Sequence, residues 1–334
     1  ALNRSGKDDF KFFFGGKFLY NHYSMKTNKT AILIHGGSMK GAFAAGVAYG
    51  LSKIGIQNAD IIVGTSSSIP TTAYFASQQF EFIKKIWVEE VGSKNFIDYT
   101  DFLTGKPIFN LRYLIDVVFK KKYPLNVKNI IESNSLFLMP LYNYREGKTE
   151  FFSNRQEEMK ENFWKILQAA ITVHDKHIDW GGSLEKFVDA DLDPFAFYRQ
   201  EVVPKDWNVL TVINHKELDR TLKRWIGVRI FRLLQSRHFP DGVKAKLKIR
   251  GELIDSGIKL FENFRKQYQP VIISPPPAMK LATSSLIIRN KNKLGYLFER
   301  GIQTVADMMS NTDTRQRLEI FIKRSKELSE PSKL

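Results

Sequence analysis

Cysteine is missing from all 334 residues, which excludes disulfides and thiolate metal sites and leaves packing alone to hold the fold. Such a chain suits a reducing cytoplasm, and a cytoplasmic location is the expectation. No uninterrupted apolar run reaches 18 residues, and Phe12-Phe13-Phe14 is too short for a signal-peptide core, so neither a spanning helix nor a leader is expected. The sequence also lacks internal repeats, zinc-finger spacing and the aromatic motifs of RNA-binding domains. His174-Asp175-Lys176-His177 is the one histidine pair near carboxylates, but it has no recognised ligand spacing and reads as a polar loop.

What is present is basic. Lys and Arg number 51 against 35 Asp and Glu, a net charge of +16, which favours anionic partners. The segment 220–234 interleaves Arg and Lys with Trp, Ile, Phe and Leu, as an interfacial helix would, although a helix packing its apolar face on the domain is the commoner use of that pattern. With no nucleic-acid motif, peripheral contact with an anionic membrane is the expected use of the charge, and no nucleic acid is expected. Hydrophobic residues make up 43% of the chain, enough for one large core or two ordinary ones. The reading divides the chain into an N-terminal extension (1–28), a main domain (29–305) and a charged C-terminal helix with its tail (306–334).

Two strand ends carry the chemistry. Lys29-Thr30-Ala31-Ile32-Leu33-Ile34 has a buried-strand pattern and runs into His35-Gly36-Gly37-Ser38-Met39-Lys40-Gly41, followed by a small-residue helix from Ala42. Ala59-Asp60-Ile61-Ile62-Val63 is a second strand, closed by Gly64-Thr65-Ser66-Ser67-Ser68 before a helix that carries Pro70 near its start. The first motif offers backbone donors and the second a nucleophile, Ser66, in a turn where residues two before and two after must be small. Gly64 fits that requirement; Ser68 departs from it, and its Cβ is expected to strain the turn. A nucleotide phosphate loop would need a Gly-Lys-Ser/Thr ending, and a dinucleotide fingerprint would need G-x-G-x-x-G, so neither accounts for the glycines. On its own, Ser66 also reads as part of a serine-rich helix cap.

A serine nucleophile requires a base. His215 follows the strand pattern Trp207-Asn208-Val209-Leu210-Thr211-Val212-Ile213 and would complete a Ser/Asp/His order. An aspartate held against the serine can serve instead. Four compete: Asp179 before a Trp-Gly-Gly turn, Asp189, Asp241 capping a charged helix, and Asp255 inside an apolar-periodic helix. Asp189 alone is followed by a proline-bearing loop and then a buried strand.

At these residues the chain resembles the patatin-like phospholipases, especially their bacterial single-domain branch. Gly36-Gly37-Ser38-Met39-Lys40-Gly41 is similar to the family's Gly-Gly-Gly-x-Arg-Gly oxyanion loop, and Gly64 to Ser68 is similar to its Gly-x-Ser-x-Gly elbow. Phe187-Val188-Asp189-Ala190-Asp191 resembles the context of its catalytic aspartate, with Ala190 and Asp191 in place of two glycines. The resemblance implies a three-layer α/β/α fold with a largely parallel sheet, a helical segment over residues 80–135 forming part of the cleft wall, and hydrolysis of a phospholipid or other acyl-ester lipid. It implies Ser66 and Asp189 as the dyad, Gly36, Gly37, Ser38 and Met39 around the oxyanion, and Gly64, Lys40 and Gly41 in support, with no metal or organic cofactor. Because the departures all replace glycine, the alternative is a weak or inactive lipid-binding scaffold on the same fold.

Overall fold

The computed structural model describes residues 27–98, 109–172, 182–193, 195–214, 239–276, 279 and 288–330. Its centre is a mixed, mostly parallel seven-stranded sheet in the order β4-β3-β2-β1-β6-β7, with β5 paired to β3 off that path. The strands are β1 (Thr30–Ile34), β2 (Ile61–Gly64), β3 (Leu136–Asn143), β4 (Lys148–Ser153), β5 (Phe187–Asp189), β6 (Asn208–Val212) and β7 (Val271–Ile273). β1 and β2 are short, rich in β-branched residues and buried throughout, as strands covered on both faces must be. In the sequence, the Arg145-Glu146-Gly147 turn between the segments 137–142 and 148–152 suggests a hairpin, and it is β3 with β4, antiparallel from Leu138↔Ser153 to Asn143↔Lys148.

Helices cover both faces, so the fold is α/β with the three layers the sequence implied. One face holds helix Gly41–Lys53, which crosses helix Lys291–Ser310 so closely that a Cβ on Gly46 would stand 1.9 Å from Phe298 O, and one on Gly301 2.3 Å from Phe43 O. The opposite face holds Phe195, Phe197, Tyr198, Phe261 and Phe264 against Ala31, Leu33 and Val63. The cleft-wall segment is built of helix Phe80–Lys85, a π-helical turn Ile86–Glu90, a π-helical stretch Tyr113–Lys122 and helix Val127–Ile131.

Two elements differ from expectation. The charged segments containing Asp241 and Asp255 form one helix, Asp241–Tyr268; Asp241 is its first residue, Pro240 occupies the cap position, and the Asp241 side chain is almost wholly exposed beside Lys244. The charge pattern from Ser310 onward predicts a surface helix, but helix Thr312–Ser329 is docked on the domain. Leu318 and Phe321 are buried, and Ser325 Oγ accepts the amides of Gln57 and Asn58 at 2.8 and 2.9 Å.

Candidate active site

Gly64 ends β2, and Ser66 then takes left-handed backbone with φ 51°, which few non-glycine residues adopt. That reversal sends the chain through the 3-10 turn Ser66–Ser68 into helix Ile69–Ala76. The helix dipole places positive potential behind Ser66. Gly64 is required by space, since a Cβ there would lie 2.4 Å from Thr72 Oγ1 and 3.0 Å from Ser68 O. Ser68 is not strained, contrary to the sequence expectation: its φ of −86° and ψ of −11° are ordinary helical values. Its buried hydroxyl donates to His35 O at 2.6 Å, a tie that glycine could not make.

That tie joins the elbow to the glycine loop. The His35 amide extends β1 by donating to Val212 O at 2.9 Å, and the Gly36 amide donates to Thr65 Oγ1 at 2.7 Å. A Cβ at Gly36 would sit 2.8 Å from the Ser66 Cβ, so the loop lies directly against Ser66. Because Gly36 spends its N–H on Thr65, it is removed from the expected oxyanion donors. In the following turn, Ser38–Lys40, the first internal bond is Lys40 N to Gly37 O at 3.2 Å. Ser38 sits at φ 53°, the left-handed backbone that the family's glycine adopts without strain. Met39 and Lys40 are buried, and at Gly41 a Cβ would meet the Trp87 ring at 2.5 Å. Trp87 closes this side of the loop and donates through Nε1 to Thr71 Oγ1 at 2.8 Å.

Asp189 reaches Ser66 through strand register. β2 pairs with β3 only as far as Val63↔Leu138, while β4 occupies the other edge of β3 from Leu138 to Asn143. β5 pairs antiparallel with Leu141 to Asn143 and therefore lies on the edge that β2 vacates, in line with the Ser66 turn. Its last residue, Asp189, is 2% exposed. Ser66 Oγ donates to Asp189 Oδ2 at 2.6 Å, and the Asp191 amide holds Asp189 Oδ1 at 2.8 Å. Ala190 and Asp191 form a 3-10 turn and neither has positive φ, so replacing the family's glycines asks nothing unusual of the backbone. The proline-bearing loop and strand pattern that follow Asp189 place it at a sheet edge, and it lies at one, as the last residue of a strand of its own.

Two positioning groups escaped the sequence reading. Thr65 lies inside the elbow motif, but nothing local says that its hydroxyl accepts from Gly36. Asn214 lies two residues beyond the end of β6 and is fully buried; its Nδ2 donates to His35 O at 2.6 Å, and its Cβ would be 2.9 Å from a Cβ at Gly37. The pairing of Ile34 with Val212 brings these two strand ends together, a non-local contact with no periodic signature. The His35 ring sits among Phe197, Tyr198 and Phe261 and is hydrogen-bonded through Nε2 to the Tyr198 hydroxyl. Burial pushes the Tyr198 phenol far above its usual value, so it keeps its proton at neutral pH.

His215, His174, His177, Asp179 and the basic segment 220–234 lie outside the described residues. Among the described residues, no cluster of three His, Asp or Glu side chains is arranged to hold a metal ion, and no helix is long and apolar enough to cross a membrane. No protein-family model matches the chain, and no curated protein does.

Proposed function

We propose that the chain is a serine acyl hydrolase acting on lipid esters, in the manner of the patatin-like phospholipases it resembles. The observation that carries this reading is the 2.6 Å contact between Ser66 Oγ, on left-handed backbone, and the buried Asp189 Oδ2. Ser66 Oγ attacks the ester carbonyl while Asp189 Oδ2 takes its proton. Asp189 then passes that proton to the departing alkoxide, and the acyl group stays on Ser66. A water molecule, deprotonated by Asp189, releases the fatty acid and restores the serine. With Oδ1 fixed by Asp191, one oxygen is presented for proton transfer. The tetrahedral oxyanion is assigned to amides of the Gly37 to Met39 turn, and each donor is worth about 3 kcal/mol of transition-state stabilisation.

The test is labelling and turnover together. A fluorophosphonate probe should label the protein at Ser66 and fail on Ser66→Ala. Asp189→Asn preserves shape and removes basicity, and should lower kcat by a factor on the order of 100 or more. Label that persists in Ser66→Ala would falsify the assignment, as would full turnover in Asp189→Asn.

A further inference from the structure

Two cations converge on one carboxylate beside the Asp189 loop. Asp193 follows the turn that Asp189 opens and is 5% exposed. Its Oδ2 accepts from Arg199 Nη1 at 2.5 Å and lies 4.0 Å from Lys246 Nζ. The second separation is beyond hydrogen-bond reach. Asp193 Oδ1 is buried without a partner.

Lys246 is the unusual member. Its side chain is 11% exposed, and its ammonium stands 5.0 Å from the Tyr142 ring centroid. None of the described residues accepts a hydrogen bond from it. Burial lowers its pKa, Asp193 partly offsets this and Arg199 adds to it. One carboxylate faces two cations, and a buried ammonium with unspent donors is costly unless an anion completes it.

The position of the cluster gives that anion a role. Tyr142 follows Leu141, the residue paired with Asp189. The start of helix Asp241–Tyr268 is fixed on the same rim, with Val243 buried against Tyr142, Val188 and Leu192, and with room at Gly242 for no Cβ, which would meet Tyr144 O at 2.2 Å. Tyr142 and Val188 point to the sheet face opposite Asp189, so Lys246 lies on that opposite face near the C-terminal end of β3, while Ser66 follows the C-terminal end of the parallel strand β2.

We propose that Lys246 and Arg199 form a subsite for the phosphate group of an anionic lipid ester whose acyl carbonyl lies at Ser66. This rests on the hydrolase reading and narrows its substrate class. The phosphate would take the Lys246 donors and the Arg199 N–H groups not spent on Asp193, while Asp193 keeps the two cations apart and oriented.

The experiment compares two esters of the same acyl chain in mixed micelles, a lysophosphatidic acid and a neutral monoacylglycerol. Lys246→Met should lower kcat/KM on the phosphate ester roughly tenfold more than on the neutral ester, and Lys246→Arg should recover most of that discrimination. Equal losses on both esters, as a purely structural ion network would give, overturn the subsite, as does no loss on either. Inorganic phosphate added to the wild type separates the sources. Competition against the phosphate ester alone marks a general phosphate site, and absence of competition with discrimination retained assigns the site to the lipid headgroup. If the wild type turns over neither ester, the hydrolase reading fails, and cosedimentation with phosphatidylcholine vesicles, with and without phosphatidic acid, tests the subsite alone. Phosphatidic acid-dependent binding that Lys246→Met weakens supports it, and binding that Lys246→Met leaves intact refutes it.

Discussion

Ser68 occupies the position at which the resembled elbow carries glycine, and its hydroxyl is the only side-chain donor described between the elbow and His35 O apart from Asn214. Restoring the motif should therefore harm the protein. Ser68→Gly removes a buried hydrogen bond and frees the backbone at once, and should cost about 1–2 kcal/mol, more than Ser68→Ala, in urea unfolding. Gly64 behaves in the opposite way. Gly64→Ala brings a methyl against Thr72 Oγ1 and Ser68 O, and should cost about 1–3 kcal/mol with a larger proportional loss of Ser66 labelling, because the displaced groups form the elbow itself. The Ser66 turn and the glycine loop were legible in the sequence for the same reason: small residues at fixed spacing after a β-branched run leave few other uses. Thr65, Ser68 and Asn214 were not, since a hydroxyl or amide that positions a loop looks no different in sequence from one facing water.

At the scale of elements, the strands of the centre and the β3–β4 hairpin were legible because alternation and turn residues are local. The lane that β5 takes beside β3 was not. It depends on β2 stopping at Gly64 while β3 continues to Asn143, a difference in strand length that only the assembled sheet reveals. The π-helical geometry of Ile86–Glu90 and Tyr113–Lys122 was also hidden, because side-chain periodicity over a turn or two does not separate it from an α-helix. The crossing of helices Gly41–Lys53 and Lys291–Ser310 offers a sharp check. Gly46→Ala must push Phe298 backbone aside, whereas Gly55→Ala, at a helix end with open space, meets only Ile322 at 3.6 Å. Gly46→Ala should lower the melting temperature by several degrees or prevent folding; Gly55→Ala should cost only the strain of its φ of 92°, about 1 kcal/mol.

For the whole molecule, acid sensitivity has an identifiable source. Burial alone would raise Glu90, but the Lys122 ammonium and the Tyr113 hydroxyl, each at 2.5 Å, outweigh it and hold the carboxyl below the usual 4.5. A carboxyl depressed on folding contributes stability above its unfolded value, and that contribution fades as pH falls from 4.5 through the folded value. Unfolding midpoints of the wild type should therefore drop more steeply below pH 4.5 than those of Glu90→Gln. Arg324 makes a second long-range clamp, donating to Asp60 from Nε at 2.9 Å and Nη2 at 2.6 Å. Arg324→Met leaves a mostly buried carboxylate with only the Thr30 donors, and should cost about 2 kcal/mol in chemical denaturation.

The spacing of the dyad also sets a schedule. Ser66 and Asp189 are 123 residues apart, and β1, the strand that supports the glycine loop, pairs with β6, which is made later still. At 5–20 residues per second, a ribosome takes roughly 6–25 s to deliver Asp189 after Ser66 has been made. Helices Lys291–Ser310 and Thr312–Ser329, which pack on helix Gly41–Lys53 and on Gln57 and Asn58, are made later still. A nascent chain of the proposed hydrolase would thus carry Ser66 without its carboxylate partner until Asp189 and β6 had both been made.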